Sequence, residues 1–154
     1  MVLDKIDCKI LTALIADGRA SVESVAETVS LSPTPVRRRI RSLEETGIIR
    51  GYSATIDPEK SGLGTLLYVF IKLKSHDRDT INAFELRVRK QPEFQKCDLI
   101  TGAHDYVLTL RIPGMKEYNR YIREILGEFP GVFGIETCVV VGSIKDSPFL
   151  PLEG

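Results

Sequence analysis

The stretch LSPTPVRRRIRSLEETG, residues 31–47, sets arginines at 37, 38, 39 and 41 behind a serine and a proline and ahead of a glycine. A guanidinium offers five N–H donors in a rigid fork that fits phosphate oxygens and the O6/N7 edge of guanine. From Ser32 to Arg50, Arg37, Arg38, Arg39, Arg41 and Arg50 stand against only Glu44 and Glu45. The chain as a whole is neutral, with 21 Lys plus Arg against 21 Asp plus Glu, so attraction to a polyanion must come from this cluster.

The elements that must position these arginines are three short helices. Asp4 caps the first, whose apolar residues Ile6, Ile10, Leu11, Leu14 and Ile15 recur at spacings of three and four until Gly18. Ser21 caps the second, with Val22, Val25, Ala26 and Val29 on one face. Ser32 caps the third, Pro33 suits a first turn whose N–H groups have no intrahelical partner, and Gly47 ends it. At about 100° per residue, Val36, Ile40 and Leu43 point inward and Thr34, Arg38, Arg41 and Glu45 outward, with Arg37 and Arg39 on the flanks. Three residues join helices two and three, which is a helix-turn-helix; Ser30 stands where the turn asks for a left-handed residue. The expected face for double-stranded DNA is Ser32, Thr34, Pro35, Arg37, Arg38 and Arg41, with Arg50 on the strand expected over GIIRGYSATID, as in a winged helix.

The 154 residues, 43% of them hydrophobic, suffice for one ordinary domain or two small ones. No apolar run reaches the roughly 20 residues of a membrane span, and MVLDKIDCKIL has aspartates where a signal peptide needs a basic flank, so the expected location is cytoplasmic, with no membrane partner. Cys8, Cys97 and Cys138 are too far apart for a C-x-x-C site or a disulfide framework. No nucleophile-and-base pair, carboxylate dyad or Gly-rich phosphate loop stands out, and the two histidines, His76 and His104, fall in different loops. The expectation is a protein that is not an enzyme and carries no metal or cofactor.

Turn formers in DPEKSGLG, residues 57–64, mark a linker between domains at 1–56 and 65–154. Beyond it the pattern reads strand 66–74, helix 79–90, strands 94–101 and 106–112 joined by Gly102-Ala103-His104-Asp105, a helix through Met115, Tyr118, Ile122 and Leu126, and a strand over 132–145. This βαββαβ order is the ferredoxin-like arrangement, and the class of the whole chain is α+β. Its sheet carries helices on one face only, so the other, with residues such as Tyr68, Phe70, Val107, Thr109, Val139 or Val141, needs a cover, and a second copy of the chain is the natural one.

DGRASVESVAETVSLSPTPVRRRIRSLEETGIIRGYSATIDPEKSGLG, followed by PEF, TGAHDY, PGV and LPL, resembles the Lrp/AsnC (feast/famine) transcription regulators over nearly the whole chain. The resemblance implies a DNA-binding helix-turn-helix, a domain that dimerises through its sheet, further assembly often to octamers, and an amino-acid effector bound between dimers. By position in the family, Gly102, His104 and Asp105 correspond to the effector loop, and a neighbouring subunit's segment around Thr137, Val139 and Val140 completes the pocket. Asp105 has the charge to meet an ammonium, and the backbone beside Gly102 the freedom to meet a carboxylate. A Gly-x-x-Asp hairpin also occurs simply as a turn. The competing reading is a tetrapyrrole-binding decarboxylase of related fold, which would have a degraded arginine face; this chain keeps its arginines.

Overall fold

A computed structural model describes residues 3–147. The LPL run at 150–152 and the end of the expected 65–154 domain lie outside the described residues. The described residues divide into two compact units, one built on residues 3–55 together with 145–147, the other spanning Ile56–Ile144. The 57–64 segment is a series of turns in which the Asp57 carboxylate accepts from the backbone N–H groups of Glu59 and Lys60.

The first unit contains α1 (Lys5–Ala16), α2 (Val22–Thr28) and α3 (Pro33–Glu45) around a core of Ile10, Leu11, Val25, Ala26, Val29, Val36 and Leu43. Asp4 and Asp7 form a reciprocal capping box at the start of α1, and the Ser21 hydroxyl accepts from Ser24 N–H at the start of α2. Ser30 takes φ 56°, the left-handed value the turn between α2 and α3 demands, while Leu31 N–H donates to the Ala26 carbonyl.

The expected wing strand is absent. Residues 50–56 form no ladder, because the first unit offers no second strand to pair with them. Ile49 instead folds back through its N–H onto the Leu43 carbonyl, and the Tyr52 hydroxyl donates to Glu44. Tyr52 stays half exposed.

The second unit runs β1 (Thr65–Leu73), α4 (Arg78–Arg89), β2 (Phe94–Leu99), β3 (Tyr106–Ile112), a helical segment from Met115 to Glu128, and β4 (Val132–Val139). All pairings are antiparallel, in the order β2-β3-β1-β4. Alternation along β1 and β3 buries Leu67, Val69, Ile71, Leu108, Leu110 and Ile112 against Phe84, Ile122, Leu126 and Phe129 from the helices.

Three boundaries differ from the sequence reading. β4 stops at Val139 rather than 145, since β1 begins at Thr65 and the last ladder bond is Val140 N–H to the Leu66 carbonyl. β2 stops at Leu99, because Ile100 N–H closes a longer hairpin onto the Asp105 carbonyl. The second helix winds as 3₁₀ over Met115–Glu117, π over Arg120–Ile125 and 3₁₀ over Leu126–Glu128; Gly114 and Gly127 are poor helix formers, and Pro130 ends the run.

Register assigns the faces. Tyr68, Phe70, Val107 and Thr109 lie on the helix-free face with Cys138 and Glu136, whereas Val139, opposite Leu67, lies on the helix-bearing face. Ser30 carries the cost of a left-handed backbone that glycine would not carry. Ser30→Gly is expected to stabilise the first unit by about 0.5–1 kcal/mol, read as a rise in denaturant midpoint at unchanged slope.

Candidate functional site

The packing of α3 decides which arginines are free. Val36 and Leu43 are fully buried against α1 and α2, and this turns Thr34, Arg38, Arg41 and Glu45 to solvent, as the spacing requires. The Ser32 hydroxyl makes no capping bond, contrary to its expected role as the cap. An N-cap hydroxyl accepts from the N–H of the second or third helical residue; the third here is Pro35, which has none, and the hydroxyl makes no bond to the remaining one on Thr34. Ser32 is exposed and Pro35 half-buried.

The other arginines sort by partner. Arg39 Nη1 donates at 2.7 Å to both Asp4 Oδ2 and Asp7 Oδ1, and Asp7 is only 8% exposed. Sequence reasoning placed Arg39 on a flank and missed this bridge, whose partners lie 35 and 32 positions away. The backbone N–H of Asp7 and then the Arg39 guanidinium hold the Asp4 carboxyl below its ordinary range. Arg37 reaches Glu23 at 3.4 Å, and Arg41 Nε meets Glu45 at 2.7 Å; both pairs are exposed, where such bonds are worth little. Among the described residues Arg38 and Arg50 have no ion pair. Arg50 lies past the end of α3, lining a cleft with Leu14, Ile15, Gly18 and Tyr52, away from the half of α3 that carries Thr34 and Arg38.

At the far end of β1 the hairpin 100–105 is fixed by one carboxylate. Asp105, its side chain 12% exposed, accepts from Leu73 N–H at 2.7 Å, lies 2.8 Å from His76 Nε2 and is within 3.4 Å of Lys72 Nζ. Burial alone pushes the Asp105 carboxyl up; the Leu73 N–H, His76 and Lys72 outweigh burial, and the net direction is down. The Asp105 carboxylate, whose charge suits an effector's ammonium, is bonded within the chain to the end of β1 and to His76. His76, set aside as a residue of another loop, is its nearest side-chain partner. Gly102 has φ 117°, a conformation suited to glycine. His104 turns to the helix-free face, stacking on Phe70 at 5.3 Å between ring centroids, with Nε2 3.1 Å from Glu136. Thr137 and Val139 sit opposite Val69 and Leu67 on the helix-bearing face, so one chain does not bring them together with His104. The Thr137 hydroxyl is buried without a hydrogen-bond partner.

A family model of the AsnC-type helix-turn-helix domain matches residues 3–44, and one of the Lrp/AsnC ligand binding domain matches residues 66–150. The chain belongs to the Lrp/AsnC family. It is a DNA-binding transcription regulator. The leucine-responsive regulatory proteins of Escherichia coli K12 and Salmonella typhimurium are each 39% identical to it over 151 residues, spanning 98% of this chain and 92% of theirs. Among solved structures, a transcriptional regulator from Neisseria meningitidis in complex with L-Met superposes with a TM-score of 0.92 at 34% identity, over 97% of both chains. An AsnC family regulator from Agrobacterium tumefaciens follows at 0.91 and 30%, also over 97% of both.

Asp105→Ala leaves the buried Leu73 N–H unpaired and is expected to cost about 1–3 kcal/mol, while Asp105→Asn, which keeps an acceptor, costs less. Because the folded-state pKa of Asp105 is depressed, its contribution is complete above the unfolded value near 4 and fades as pH falls through the folded value. The gap in stability between wild type and Asp105→Asn should therefore close in acid, measured by urea unfolding at pH 7 and near pH 3.

Proposed function

We propose that this regulator binds duplex DNA as a dimer or larger assembly, placing α3 in the major groove, and that an amino acid modulates the binding. The observation that carries the reading is Arg38: an exposed guanidinium without an ion pair among the described residues, on the outward face of a helix that buries Val36 and Leu43 fully on the other. Arg38 reads a base edge. Arg41, already held by Glu45, and Arg37, near Glu23, take phosphates, with Ser32, Thr34 and Pro35 along the groove's edge and Arg50 on the flanking backbone.

The sheet face with Tyr68, Phe70, Val107 and Thr109 meets its equivalent in a second copy, and dimers assemble further, up to an octamer. The L-Met complex of the Neisseria relative and the names of the leucine-responsive relatives support an amino-acid effector. In this reading the Gly102–His104 backbone meets the effector, Asp105 fixes the loop, and Thr137 and Val139 of a neighbouring copy close the pocket, with the Thr137 hydroxyl free to take a polar group. The reading calls for no cofactor, and a DNA-binding regulator with no helix among the described residues long and apolar enough to cross a membrane fits a cytoplasmic location.

Arg38→Ala is expected to cost about 1–3 kcal/mol on a duplex selected from a random library and to relax sequence preference; an equal loss on all sequences would make Arg38 a phosphate contact. A chain ending near Gly64 is expected to bind the selected duplex far more weakly than the full chain, since it forgoes the second binding arm. Equal affinity of the two would refute binding as a dimer. L-Met and L-Leu, titrated by thermal shift beside the other common amino acids, test the effector: a saturable rise with one of them supports the reading, and no shift with any contradicts it.

A further inference from the structure

Arg39 gives up its charge to the fold within one residue of the guanidinium proposed to read DNA. Its two bonds run to the capping box of α1, where Asp4 accepts from Ile6 and Asp7 N–H and Asp7 accepts from Asp4 N–H. The capping box fixes the geometry of both carboxylates, so the guanidinium is held by a preorganised pair rather than by two loose side chains. Burial of Val36 and Leu43 fixes which side of α3 faces inward, but the stripe, with Ile40 only partly buried, is narrow and leaves rotations of a few degrees about the helix axis open. Turning a helix by about 10° moves a side-chain tip at a radius of about 6 Å by about 1 Å. Productive geometry at a recognition site has to hold within about 0.5 Å. A polar bond from the flank of α3 to α1 fixes that rotation. Asp7, Arg38, Arg39 and Ser42 together line a cavity of about 300 Å³, so the bridge and Arg38 share one side of the helix.

We propose that Arg39 is a positioning residue for DNA reading: by bridging Asp4 and Asp7 it sets the rotation of α3 and hence the aim of Arg38, without touching DNA itself. This rests on the reading that Arg38 meets a base.

The test uses the full-length chain and two probes, a duplex selected from a random library and a scrambled duplex of equal length, with affinities measured across salt concentration. If wild type does not prefer the selected duplex, the underlying DNA reading fails before the bridge is examined. With that preference established, Arg39→Gln is expected to lose about tenfold on the selected duplex and about twofold or less on the scrambled one, with an unchanged slope of log affinity against log salt. Arg39→Lys, which reaches one carboxylate at a time, should recover part of the discrimination. Asp4→Asn keeps the capping acceptor and removes one partner, so it should move in the same direction by less, and it serves if Arg39→Gln does not fold. A slope shallower by about 1 would make Arg39 a phosphate contact and overturn the proposal. So would equal loss on both duplexes at unchanged slope, which makes it a fold residue only, or no loss on either.

Discussion

A chain with equal numbers of acidic and basic side chains can hold a polyanion only by keeping some cations apart from its own carboxylates. The helix-turn-helix achieves this by spacing. Around α3, Arg39 is consumed by Asp4 and Asp7, Arg37 approaches Glu23, and Arg41 is held by Glu45. Arg38 is the α3 arginine left without an ion pair among the described residues. The burial of Val36 and Leu43 is what enforces this division, because it fixes which side of α3 faces α1 and which faces solvent. A rotation of one residue would hand Arg38 to the carboxylates and drive Arg39 into the core stripe that Ile40 now fills.

The second unit treats charge in the opposite way. Asp105 stands in a loop whose family pattern suggests a ligand carboxylate, yet its oxygens are committed to Leu73 N–H, His76 and Lys72. That commitment ties the hairpin to the end of β1, the strand paired on both sides, and so fixes Gly102 and His104 relative to the whole sheet. Here the charge holds the hairpin to the strand.

Periodicity made the three helices and the βαββαβ order legible. Edges were less legible, because a strand ends where its partner ends: β4 stops near the start of β1, and the 50–56 segment stays unpaired for want of a neighbour in its unit. Side-chain partners far apart in sequence could not be seen. Nothing in the order of residues says that Arg39 meets Asp4 or that Asp105 meets His76. The missing cap at Ser32 was half legible, since Pro35 at the third helical position removes one of the two N–H groups the hydroxyl could use and leaves only that of Thr34. The twin faces of the sheet were left open by alternation alone and required the register of β4 against β1, which moves Val139 to the helix side.

The central claim is that Arg38 reaches a base edge in the major groove, and methylation interference tests it most directly. Guanine N7 is the acceptor a guanidinium takes there together with O6, and methylating it blocks that contact without altering the phosphates. On a selected duplex carrying guanine in its recognition half-sites, wild type should lose binding when one defined guanine in each half is methylated, and Arg38→Ala should bind more weakly but no longer respond at that guanine. An interference pattern that is the same in wild type and Arg38→Ala would contradict the account, placing base recognition on another residue.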